Sequence, residues 1–76
     1  MTLTPGKLYC LTDPDIKIML HYADKRHYMR HDRVYLLTKL HKPHSGVLFW
    51  FLIDKLEYGT LFNKAEACLF FKEYIT

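Results

Sequence analysis

The sequence predicts a single small all-β domain, a barrel or sandwich of five to six short strands with one short helical turn before the last of them. Three observations carry this. Residues Ile16-Lys17-Ile18-Met19-Leu20-His21-Tyr22 alternate with a period of two, the mark of a half-buried strand. Val47-Leu48-Phe49-Trp50-Phe51-Leu52-Ile53 is an unbroken apolar run, rich in aromatic and β-branched types, followed by a short polar break and a second apolar run at Gly59-Thr60-Leu61-Phe62. That order reads as strand, tight turn, strand. Elsewhere no long stretch has helical periodicity.

Taken in order, Pro5-Gly6 makes an entry turn, and Lys7 to Thr12 forms the first strand. Asp13-Pro14-Asp15 ends it with residues that favour turns. The second strand is 16–22, with Ile16, Ile18, Leu20 and Tyr22 on one face and Lys17, Met19 and His21 on the other. Residues 23–32 are polar and basic without a strong period, and are expected to form a surface loop. Arg33 to Leu40 is the next strand, in which Val34, Leu36, Thr38 and Leu40 oppose Tyr35, Leu37 and Lys39. His41-Lys42-Pro43-His44-Ser45-Gly46 is a loop. The long strand 47–53, a turn around Asp54 to Tyr58 and the strand 59–62 follow. Asn63-Lys64-Ala65-Glu66-Ala67 suits one turn of helix, and Cys68 to Ile75 closes the chain as a strand. Leu36, Phe49, Phe51, Ile53, Leu61 and Leu69 are the expected core.

With 76 residues the chain has room for one domain. A domain of this size buries only about 60–65% of its unfolded surface. Twelve Phe, Tyr and Trp side chains supply large rings to make up the core. The longest apolar run is far below the roughly 20 residues of a membrane-spanning helix. Cys10 and Cys68 each sit in an apolar segment and read as small buried hydrophobes, with a disulfide between them left open. The first residues have neither the basic nor the apolar region of a signal peptide. A cytoplasmic location with reduced thiols is expected.

The order of elements resembles the small SH3-like barrels. The resemblance rests on Gly6-Lys7-Leu8-Tyr9-Cys10-Leu11, Arg33-Val34-Tyr35-Leu36-Leu37, Leu52-Ile53-Asp54, Gly59-Thr60-Leu61-Phe62 and Leu69-Phe70-Phe71-Lys72. The chain looks like the short single-domain SH3-like proteins encoded by tailed bacteriophages, which would place it in the bacterial cytoplasm. The resemblance implies a fold and no activity. The acidic specificity loop and paired aromatics of peptide-binding SH3 domains have no counterpart in this sequence.

Catalytic constellations are not evident. Ser45 beside His44 is too little for a triad, and the carboxylates Asp13/Asp15 and Asp54/Glu57 are explained by turns. His27 and His31 have the i, i+4 spacing of a zinc helix but lack its Glu. With His41 and His44 they read as solvated loop histidines, and no metal or cofactor is expected.

Charge is unevenly placed. Residues 17–44 hold seven Lys and Arg against two Asp, a balance of +5, while the remainder carries −2. All five histidines fall in the basic part, which becomes more positive in mild acid. Lys25, Arg26, Arg30, Arg33, Lys39 and Lys42 are expected to form one basic surface. The strand 47–53 adds an apolar one. If Val47, Phe49, Phe51 and Ile53 fill the core, Leu48, Trp50 and Leu52 point outwards. Tyr35 and Leu37 on the neighbouring strand are expected to extend this patch. Together these features predict a non-enzymatic protein-interaction module, binding a host factor or a second copy of itself. The alternative is a small nucleic-acid-binding barrel, in which Lys and Arg contact phosphates and rings stack on bases.

Overall fold

The computed structural model describes residues 3–42 and 46–75. Pro43, His44 and Ser45 of the expected loop lie outside the described residues. The chain forms β1 (Leu8–Leu11), β2 (Met19–Tyr22), β3 (Lys25–Tyr28), β4 (Tyr35–His41), β5 (Val47–Ile53), β6 (Leu56–Phe62), α1 (Lys64–Phe70) and β7 (Phe71–Glu73). The seven strands make one antiparallel sheet in the order β3-β2-β6-β5-β4-β1-β7. The fold is all-β, as the sequence predicts.

The centre of the sheet is the meander β4–β5–β6. Strand β5 has the predicted bounds, and its residues alternate strictly: Val47, Phe49, Phe51 and Ile53 are buried, while Leu48, Trp50 and Leu52 face away. The turn to β6 has two central residues, Asp54 and Lys55, both at positive φ (49° and 69°). That is the geometry of a tight hairpin turn whose twist matches its strands. Gly46 opens β5 at φ 128°, and a Cβ there would meet the Phe62 carbonyl oxygen at 2.7 Å, so only glycine fits.

One face of the sheet curls around an aromatic core. Phe71 on edge strand β7 packs on Phe49, Phe51 and Phe62, with ring centroids 5.4–6.3 Å apart. At the other end, Tyr35 packs edge-on against Phe51, and His27 of β3 lies between Tyr35 and Tyr58. Two tyrosine hydroxyls tie loops to this core: Tyr9 accepts the Thr4 N–H at 2.6 Å and Tyr35 accepts the Arg30 N–H at 2.8 Å.

Four expectations are corrected. The segment 23–32 is not all loop. It contains β3, joined to β2 by a turn at Ala23 and Asp24, with Ala23 at φ 52°. The faces of β4 are the reverse of those expected at its start: Tyr35 (4% exposed) and Leu37 (0%) belong to the core, while Leu36 is half-buried on the outer side. A bulge between Leu37 and Lys39 then shifts the register, so that Leu40 packs on the core and Lys39 and His41 face out. One inserted residue inverts the alternation, and Thr38 holds the bulge by donating its hydroxyl to the Trp50 carbonyl at 3.1 Å.

The third correction concerns the end of the chain. The helix runs to Phe70, so the last strand is only Phe71–Glu73. Asn63 caps the helix by accepting the Glu66 N–H at 2.8 Å, and the Glu66 carboxylate reaches back to the Asn63 amide. The helix so capped runs for seven residues, more than the single turn expected. In consequence Leu69 lies on the helix's outer side, 71% exposed, rather than in the core. Fourth, Leu61 faces out of β6 at 55% exposure. Phe49, Phe51 and Ile53 are buried as expected. Cys10 and Cys68 are half-buried and no disulfide joins them; the Cys10 Sγ lies 3.9 Å from the Lys72 carbonyl.

Candidate functional site

Strand register assigns the outward side chains to rows that cross the sheet. Lys39 pairs with Trp50, Trp50 with Gly59, Gly59 with His21 and His21 with Arg26. All these positions lie on the side opposite the core. One row therefore runs Lys39–Trp50–Gly59–His21–Arg26 across β4, β5, β6, β2 and β3. Strands are about 4.8 Å apart, so the row is roughly 19 Å long. Two residues along, His41 pairs with Leu48, and Leu48 with Leu61. The same antiparallel register carries that row on to Met19 and its partner Tyr28. On the other side of the basic row lie Leu8, Leu36, Leu52 and Glu57.

The central feature is Trp50. Its ring lies over Gly59: a Cβ at that position would come within 3.0–3.2 Å of three ring carbons. The Lys39 ammonium sits 5.2 Å from the ring centroid, within cation–π range. Lys39 also pairs with Glu57 at 3.1 Å. Both charged groups are largely solvated, so the ion pair contributes little to stability but fixes the cation over the indole. Leu52 is 39% exposed and Leu61 more so.

Of the residues predicted for partner binding, Leu48, Trp50 and Leu52 share this outward face. Tyr35 and Leu37 are withdrawn into the core by the register described above. The six predicted cations are all exposed. Arg26 and Lys39 stand at the two ends of the basic row. Lys25 follows the opposite side of β3, paired with Tyr22, whose ring packs on Tyr58. Lys42 follows the end of β4. Arg33 lines a small cleft of about 160 Å³ with His27, Val34, Tyr35, Leu52, Ile53 and Asp54. The His27 Nε2 is shielded from solvent there and meets no hydrogen-bonding partner among the described residues.

Arg30 lines a larger cleft of about 620 Å³, bounded by Pro14, Ile16 and Lys17 on one side and Tyr28, Met29, His31 and Asp32 on the other. Its guanidinium is forked onto Asp32, Nε to Oδ1 at 3.0 Å and Nη2 to Oδ2 at 2.8 Å. The hydrogen bond and charge of Arg30 hold the Asp32 carboxyl below the usual carboxylate range. Sequence reasoning missed Lys17 and Tyr28 as members of one site. They are eleven positions apart and meet only because β2 and β3 form a hairpin whose open end brings both flanks together.

Among the described residues no group of three His, Cys, Asp or Glu side chains could hold a metal ion. His27 lies on a strand and His31 in the following turn, so their spacing puts them on no common helical face. No described helix is long and apolar enough to cross a membrane. Comparison with known proteins gives no match: no family model, curated protein or solved structure is significantly similar to the chain.

Proposed function

We propose that this chain is a small non-enzymatic interaction module that docks an acidic partner protein on the outward face of β4, β5 and β6. The curled sheet is read here as a small SH3-like barrel of the phage-encoded type, acting on a host factor in the bacterial cytoplasm. Support for that barrel comes from the element order, with a hairpin between β1 and β4, a three-strand meander, and a short helix before the last strand. Support for docking comes chiefly from Trp50. Its ring is held flat between Gly59 and the Lys39 ammonium, on a face that also presents Leu52 and Leu61. An aromatic already fixed in place loses little conformational entropy on binding, and Trp is the residue type most enriched at energetic hot spots. Arg26, His21 and Lys39 in the same row steer acidic groups towards it.

The test pairs Trp50→Ala with Leu52→Asp, the latter at an outward position on β5. Melting temperature and capture of partners from host lysate are measured side by side. Both variants should stay folded and lose association, with truncation of Trp50 costing about 2 kcal/mol or more of binding. Association that survives both would move the interface elsewhere. Salt separates this reading from nucleic-acid binding on the same face: an apolar-anchored interface changes little with salt, whereas phosphate contacts give a steep log–log fall.

A further inference from the structure

The cleft beside the β2–β3 hairpin goes beyond the docking face. We infer that it is a binding site for a nucleotide unit, a planar base joined to a phosphate. Its volume of about 620 Å³ lies within the roughly 300–1,000 Å³ range of small-ligand sites. Its lining has the two chemistries that such a ligand needs, each contributed by both flanks. Tyr28 ends β3, 61% exposed, and lines the cleft together with the apolar Ile16 and the buried Met29. A base laid against that ring gains stacking and covers apolar surface.

The phosphate end is provided by Lys17 and Arg30. Asp32 takes two of the five N–H donors of Arg30, which orients the guanidinium and leaves the rest to donate. Lys17 lies in no ion pair among the described residues. With His31 at the rim, an anion here meets one pre-oriented and one uncommitted cation against a single carboxylate. A neutral aromatic would leave these cations unused, and a simple anion would leave the Tyr28 ring bare. The nucleotide could be a free molecule or one unit of a single strand.

The test is an NMR titration of the full chain at low salt with adenosine monophosphate, adenosine, inorganic phosphate, a single-stranded oligothymidylate and an oligoglutamate peptide. Adenosine monophosphate or the oligonucleotide should move the amide signals of residues 16, 17 and 28–32. Adenosine and phosphate alone should bind more weakly. Tighter binding of the oligonucleotide assigns the unit to a strand, and tighter binding of the mononucleotide assigns it to a free ligand. Lys17→Glu and Tyr28→Ala should each weaken binding about tenfold, while Tyr28→Phe keeps the ring and the affinity. Both changed side chains are exposed, and a melting curve of each variant checks the fold. The inference is overturned if neither nucleotide probe moves these amides, if Lys17→Glu binds as wild type does, or if the acidic peptide alone occupies the cleft.

Discussion

At position 59 the absence of a side chain is what allows Trp50 to lie flat on the sheet. The ring covers backbone that would otherwise face water and takes the place of the missing cross-strand neighbour. A branched side chain there has nowhere to go: the ring carbons already stand 3.0–3.2 Å from where a Cβ would be. Gly59→Val should therefore lift the indole off the sheet and away from Lys39. The chain has a single Trp, so its fluorescence reports that ring alone. The expected outcome is emission shifted to longer wavelength in a protein that remains folded; an unchanged spectrum would mean that the ring does not rest on Gly59. This contact was not legible in the sequence. Gly59 reads there only as the opening of a second apolar run, because its neighbour across the sheet depends on a register set by the turn at Asp54 and Lys55. The outward direction of Leu48, Trp50 and Leu52 was legible, since it needs nothing beyond alternation along one strand.

Elements were legible where their own residues specify them and obscure where a neighbour does. The bounds of β5 follow from its composition alone. Strand β3, Lys25-Arg26-His27-Tyr28, has no apolar face and exists because each residue finds a partner on β2. The reversal in β4 likewise needs knowledge of a bulge, which a pattern of period two does not contain. At α1 the sequence shows the helix but not its length. The Asn63 cap satisfies one backbone donor at the helix start, the Glu66 N–H, and the helix runs on to Phe70. Replacing Asn63 by Ala should cost about 1 kcal/mol, within the usual 0.5–2 range for losing such a cap. Denaturant unfolding checks this, and a midpoint equal to wild type would show that packing of Ala67 and Phe71, rather than the cap, sets the helix.

Across the whole molecule side chains as well as backbone pairing hold the edges of the sheet to its core. Strands β3 and β7 are its two edges. Phe71 binds the β7 edge to the aromatic core. The β3 edge is held by His27 against Tyr35 and Tyr58, and by the Tyr35 hydroxyl, which accepts the Arg30 N–H. That hydrogen bond joins the end of the β2–β3 hairpin to β4, so it also positions one flank of the nucleotide cleft. Tyr35→Phe keeps the ring and removes only the acceptor, leaving a part-buried N–H unsatisfied. The expected cost is about 1–3 kcal/mol. The loss should not be spread evenly. Elements open in units whose stabilities differ, and those with fewer buried contacts open first. The β2–β3 hairpin joins the rest of the sheet through a short pairing at His21 and Gly59, whereas β5 and β6 pair along seven residues. Native-state hydrogen exchange should accordingly show faster opening at Met19–Tyr28 and Arg30 in the variant, with β5 and β6 slowed or quickened far less. Uniform acceleration across all strands would mean instead that the hairpin and the meander unfold as one unit, with Tyr35 acting through the core rather than through its hydroxyl.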